Sequence, residues 1–231
     1  MLLHLSQIIP LVCFWNTITN EVSKYKQEVI SNNIVSLIHC LLFMAHHNYG
    51  YNVEYAAHAS IAYYTYDLLY ILSIVYKFKS GGEFKRRFPF IIHHIFAIYL
   101  LKHSLTEEKE SREHLLHGYN ILEMSNVMLY VSYHLHKEYG NYLHLNIISE
   151  FSQLLWYSYY RVIKFSLYVF NNKTHFFQFH SATQFVIFAI YCMGIVWSYK
   201  LVKKNIKNFN VLKELHGFKN GCSELKQSRS K

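Results

Sequence analysis

Charge is scarce in this chain. Asp, Glu, Lys and Arg make up 16% of its 231 residues, where a soluble domain of this length carries roughly a quarter. The charges it has are clustered at 77–87, 102–114 and beyond 200, with long apolar stretches between them. That distribution excludes an ordinary soluble domain and points to a chain that crosses a membrane several times. Proline is held to two residues, and no Gly/Ser linker, internal repeat or low-complexity run occurs, so no break in composition divides the chain into separate domains. Cysteine is sparse too. Cys13, Cys40, Cys192 and Cys222 have neither paired nor metal-ligand spacing, which excludes a disulfide framework or a zinc ribbon and reads them as free thiols in apolar packing. Residues 2–15 are apolar but lack a basic lead-in, and no small-residue cleavage site follows. They therefore read as a retained first span or an interfacial helix, not a removed signal.

The remainder is 52% hydrophobic and 18% aromatic. Its apolar stretches lie at 2–18, 31–48, 55–76, 88–105, 113–135, 146–170 and 181–200. Helix is the only open-chain way to satisfy a backbone in lipid. The expected fold is thus all-α, a polytopic transmembrane bundle of about six to seven spans enclosing a polar-lined cavity. An N-terminal hydrophobic segment and cytosolic loop would occupy 1–30, the helical domain 31–204, and a basic, disordered cytosolic tail 205–231. The formal charge of +9 does not imply nucleic acid, because the basic residues flank apolar segments instead of covering one soluble face.

Loop charge sets an orientation. Lys77, Lys79, Lys85, Arg86 and Arg87 share a side with Lys24, Lys26 and the C-terminal lysines when the chain crosses seven times. The positive-inside rule makes that side cytosolic and the N-terminus luminal or outside. Asn172-Lys-Thr174, a glycosylation sequon, then falls on the luminal side.

Polar residues recur at helical spacing within the apolar stretches. One stripe runs through His117, Asn120, Glu123, Asn126 and Tyr130, a second through Gln153, Tyr157, Arg161 and Lys164, and a third through Tyr63, Tyr66, Asp67 and Tyr70. Residues three and four apart share a helix face, so three such helices imply a shared polar interior. Asp67 or Glu123 paired with Arg161 would also serve simply to hold helices together. The adjacent His93 and His94 interrupt the run from Phe88 to Leu101. Neighbouring helical residues point about 100° apart, so the two imidazoles do not face one spot squarely, and one reaches the interior while the other packs between helices or sets its tautomer. An imidazole beside a carboxylate is general acid–base or nucleophilic equipment. No His-x-x-His-His cluster of the membrane di-iron type occurs, so neither a metal nor any other cofactor is expected.

These residues together resemble the TLC domain, the polytopic domain shared by ceramide synthases, translocating-chain-associated membrane proteins and further relatives. The resemblance runs from about Asn33 to Lys204. It is carried by Asn33-Ile-Val-Ser-Leu-Ile-His39, Tyr63-Tyr-Thr-Tyr-Asp-Leu-Leu69, His93-His94, Glu123-x-Ser125 and the aromatic run ending in Arg161. In ceramide synthases the tandem histidine belongs to a site where an amine is acylated from acyl-CoA. The resemblance thus implies a catalytic role for His93, His94 and Glu123 if the chain is an enzyme, and a lipid-binding cavity lined by Asp67, Asn120, Asn126, Tyr157 and Arg161. Synthases carry two aspartates where this chain has Glu123 and Asn126, and in this respect it looks more like the non-synthase TLC-domain proteins. The expected function is lipid handling or control of membrane lipid composition in the endoplasmic reticulum or a related endomembrane, with membrane lipids as partners. The alternative is an N-acyltransferase with acyl-CoA and a sphingoid base as substrates.

Overall fold

A computed structural model describes the backbone of residues 5–24, 26, 28–50, 52–78 and 81–228, and within these the side chains up to residue 210 except at 5–7, 28–29, 78 and 83. The described regular structure is helical throughout. The helices are α1 (Leu5–Ser23), α2 (Glu28–Asn48), α3 (Val53–Phe78), α4 (Gly81–Thr106), α5 (Lys109–Glu138), α6 (Leu143–Ser158), α7 (Phe165–Asn171), α8 (Lys173–Gln178) and α9 (Ser181–Ser228). A π-helical segment, Tyr159–Lys164, joins α6 to α7. Every apolar stretch in the sequence falls on a helix, the one at 146–170 being divided by the π segment. Residues 2–4 of the first stretch lie outside the described residues. So do residues 229–231 of the basic tail and its side chains beyond 210, while α9 continues as helix from the last apolar stretch to Ser228. Cys13, Cys40 and Cys192 are free thiols.

Among the described residues, two helical segments are long and apolar enough to cross a membrane, Phe84–Thr106 in α4 and Ser181–Asn210 in α9. α6, α7 and α8, at 16, 7 and 6 residues, are each shorter than such a segment.

α5 is the hub. No residue from Gly118 to Leu135 is exposed, so other helices cover it on every side. It runs antiparallel to α2, with contacts pairing Asn33 to Tyr130, Cys40 to Glu123 and His47 to His117. It is also antiparallel to the α6–α7 run, with Trp156 bonded to Met124 O and Tyr168 to His114 O. One end of the bundle carries the ion pairs Lys26–Glu138 at 2.7 Å and Lys204–Glu150 at 2.8 Å. The Lys26 ammonium holds the Glu138 carboxyl below its usual value through that hydrogen bond. The other end carries Glu54–Arg112 and His175–Glu110. There Gly50, at φ +69°, turns the chain from α2 towards α3 in a conformation that a Cβ disfavours.

Two apolar clusters fill the interior, and the outer faces are apolar as well. Leu72, Ile95, Ile148, Leu155, Leu167 and Phe188 are exposed, while Asp67, His94, Glu123 and Arg161 are buried. α1 is fixed by Trp15, whose indole N–H donates to Ala59 O at 3.1 Å and whose ring stands edge-on to Tyr63.

Candidate functional site

Polar side chains from α2, α3, α4, α5, α6 and α9 surround a cavity of about 490 Å³. The helical spacing seen in the sequence accounts for its walls. Residues near one another on an inner face project inward together. Of the candidate site residues named from sequence, Asp67, His93, His94, Asn126 and Tyr157 line the cavity, while Asn120, Glu123 and Arg161 do not. The histidine pair comes from α4 and Asp67 from α3.

Within this wall the structure pairs His94 with Asp67. Their Nε2 and Oδ2 atoms lie 2.5 Å apart, and both side chains are buried. The other Asp67 oxygen accepts from the Asn32 amide at 3.0 Å. With Nε2–H directed at the carboxylate, Nδ1 of His94 keeps its lone pair, and it has no protein partner. A carboxylate that orients an imidazole and fixes its tautomer leaves the far nitrogen able to take a proton or attack a carbonyl. His93 stands beside this pair, edge-on to Trp197 at 5.8 Å, and its Nδ1 is also without a partner. Tyr63 Oη donates to Ser36 Oγ at 2.6 Å and stacks on His39 at 4.0 Å, which stiffens the adjoining wall. The cavity also has two basic side chains in its lining, half-buried Arg87 and exposed Lys200.

Glu123, which the sequence pairs with the histidines, sits behind this wall. One of its oxygens accepts from Tyr64 Oη and the other from Cys40 Sγ at 2.7 Å. His39 Nδ1 lies 4.0 Å away, and its Nε2 contacts Ser60 Oγ at 2.8 Å. Glu123 is 2% exposed and is not among the residues lining the cavity. Asn120 lies a turn towards the other end of the bundle and bonds to Asn48. The carboxylate that meets the histidines is therefore Asp67, while Glu123 serves a separate buried hydrogen-bond cluster. Cys40 is the member of that cluster that no sequence pattern marked, since one cysteine carries no spacing signal.

Arg161 is fully buried within the π segment. Its Nη1 donates to Leu122 O at 3.3 Å and approaches Ser125 Oγ at 3.4 Å, and its guanidinium lies over the Tyr157 ring. It forms no ion pair with Asp67 or Glu123, and its Nε and Nη2 have no partner. Gly194 of α9 makes room for it, because a Cβ there would lie 2.6 Å from Arg161 Cγ. Gly194→Ala should therefore cost about 1–3 kcal/mol by overpacking. In an Arg161→Ala background the cost should nearly vanish. Thermal melts of the four proteins in one detergent measure this coupling, and equal costs in both backgrounds would sink it.

Two groups of potential metal ligands occur among the described residues, His39–Cys40–Glu123 and Glu110–His114–His175, each with donor atoms within 4.8 Å of one another. Asn172 of the sequon ends α7 half-buried, and its side-chain amide donates to Tyr168 O at 2.8 Å.

No family model matches the chain, and no curated protein or solved structure matches it. The functional reading therefore rests on the geometry of the site.

Proposed function

We propose that the chain is a multi-pass membrane protein that binds a lipid in the cavity between its helices and acts in lipid handling. The observation that carries this reading is the apolar outer surface around a cavity whose wall holds the buried Asp67, His94 and Asn126. Apolar side chains face outward on α2, α3, α4, α6, α7 and α9, and the buried acid, amide and imidazole groups face one another. Water would make the first costly and lipid the second, whereas a bilayer outside and a polar headgroup inside satisfy both. The basic side chains in the lining, Arg87 and Lys200, suit an amphiphile with an anionic or strongly hydrogen-bonding head. Both belong to the Lys/Arg-rich end of the bundle, which the positive-inside rule assigns to the cytosol, with the N-terminus luminal. The order of the histidine, tyrosine and acid motifs supports a TLC-type bundle of endomembranes, nearer the non-synthase members.

The test is retained lipid. Protein purified in mild detergent is extracted, and its lipid is counted by mass spectrometry. Asn126→Trp, which fills the cavity from α5, should reduce tightly held lipid severalfold. Ile148→Trp, on the outer apolar face, should leave it unchanged. Equal retention in all three proteins would overturn the reading.

The His94–Asp67 pair favours a second reading, acyl transfer from acyl-CoA to a sphingoid-type amine. The amine nitrogen would attack the thioester carbonyl, Nδ1 of His94 would take the amine proton, and the coenzyme would leave as thiolate and be protonated, giving an amide. Nanodisc-embedded protein supplied with long-chain acyl-CoA and a sphingoid base tests it. Product that disappears in His94→Ala and falls at least a hundredfold in Asp67→Asn supports transfer, and no product from the wild type excludes it.

A further inference from the structure

We propose that Glu110, His114 and His175 form a site for a divalent transition-metal ion of the zinc class, at the end of the bundle away from Lys26–Glu138. The site is independent of the lipid reading. Glu110 and His114 are four residues apart on α5 and share a face, while His175 arrives from α8 across 61 residues of chain. No linear spacing reveals the set, and tertiary packing assembles it.

Ligand preparation is the first argument. Tyr168 Oη lies 3.1 Å from His114 O and 2.9 Å from His114 Nδ1, and when its hydroxyl donates to the carbonyl, Nδ1–H donates to the hydroxyl. In that tautomer Nε2 of His114 carries the lone pair and is the donor a metal would meet. Metal-bound histidines are held in the same way through their second nitrogen. The spacing of the donors is the second argument. His175 Nε2 lies 3.7 Å from Glu110 Oε1, and the His114 and His175 rings face each other at 4.2 Å. Zinc ligands at roughly 2.0–2.2 Å from the ion stand about 3.3 Å apart in a tetrahedron, and because imidazole lone pairs lie in the ring planes, the stacked His114 and His175 rings turn out of their stack for both to meet one ion.

Charge and access complete the case. One carboxylate and two neutral imidazoles suit a borderline cation better than a hard one. Three protein ligands leave a fourth position, and His114 and Glu110 both line a cavity of about 700 Å³ through which water or an exchangeable ligand can reach it. His47 and His117 meet at 3.1 Å on the same cavity and offer a further donor nearby. The alternative group, His39–Cys40–Glu123, is buried, and its acid is already occupied by Tyr64 and Cys40. A bound ion would fasten α8, and with it the entry to α9, onto the start of α5.

The experiment uses full-length protein in detergent without a histidine tag, stripped with chelator and titrated with Zn²⁺ by calorimetry and with Co²⁺ by visible absorption. We expect one ion per chain and a tetrahedral Co²⁺ spectrum without a thiolate charge-transfer band. His175→Ala and Glu110→Gln alter half-buried or exposed side chains and should each weaken binding at least tenfold. Tyr168→Phe, which releases the His114 tautomer, should weaken it severalfold. No saturable binding, unchanged affinity in His175→Ala and Glu110→Gln, or a thiolate band indicating Cys40 would each overturn the proposal.

Discussion

Arg161→Met should raise the melting temperature of the detergent-solubilised protein. The guanidinium is fully buried, makes its direct hydrogen bonds through Nη1 only, and has no carboxylate partner among the described residues. A buried charge without a counter-ion forfeits its hydration and recovers little of it. Met keeps most of the volume, fills the space beside Gly194 and Tyr157, and has nothing left to satisfy. The expected gain is about 1–3 kcal/mol, or roughly 3–10 °C for a protein of this size. Such a gain would mark Arg161 as a residue kept at a cost to stability, as charges reserved for ligands are. A fall in melting temperature would sink the view that the charge is unmatched in the resting protein. Retained lipid measured on the same samples shows whether the charge serves the cavity.

Glu123→Ala should be the most damaging single change, with Glu123→Gln well below half its effect. Removing the carboxylate strands Tyr64 Oη and Cys40 Sγ at a position sealed from solvent, and it opens a hole beside His39. An unsatisfied buried donor costs about 1–3 kcal/mol and the cavity adds to it, for a total of about 3–5 kcal/mol. Gln keeps a carbonyl oxygen for the tyrosine, so most of the cluster survives. Melts in a single detergent decide the matter. If Ala and Gln are equally harmful, the negative charge itself matters and the hydrogen-bond account fails. Tyr64 also lines the cavity, so Glu123→Ala should lower retained lipid per folded molecule more than Glu123→Gln does.

Much of the architecture could be read from sequence, because a helix in an apolar setting leaves a simple record. Apolar runs separated by charge clusters mark the helices, and polar residues at three- and four-residue spacing mark the inner faces of α3, α5 and α6. Asp67, Asn126 and Tyr157 reach the cavity because helical periodicity places them on those faces, whereas both histidines of α4 line it although a step of about 100° turns them apart. Which residue meets which was not legible. Sequence offered Glu123 to the histidines and a carboxylate to Arg161. The fold instead gave Asp67 to His94, Cys40 and Tyr64 to Glu123, and main-chain oxygen to Arg161. Partner choice depends on the axial offset and rotation of neighbouring helices, and a shift of one residue turns a side chain by about 100°.

The sequence by itself therefore determined the helical class, the apolar outer faces and the set of polar groups turned inward, since each follows from local periodicity. Tertiary structure decided the π segment that carries Arg161, the close approach at Gly194, the pairing of Asp67 with His94, and the meeting of His175 with Glu110 and His114. These depend on contacts between helices far apart in the chain, where side-chain volume and depth set the register and no local pattern records it.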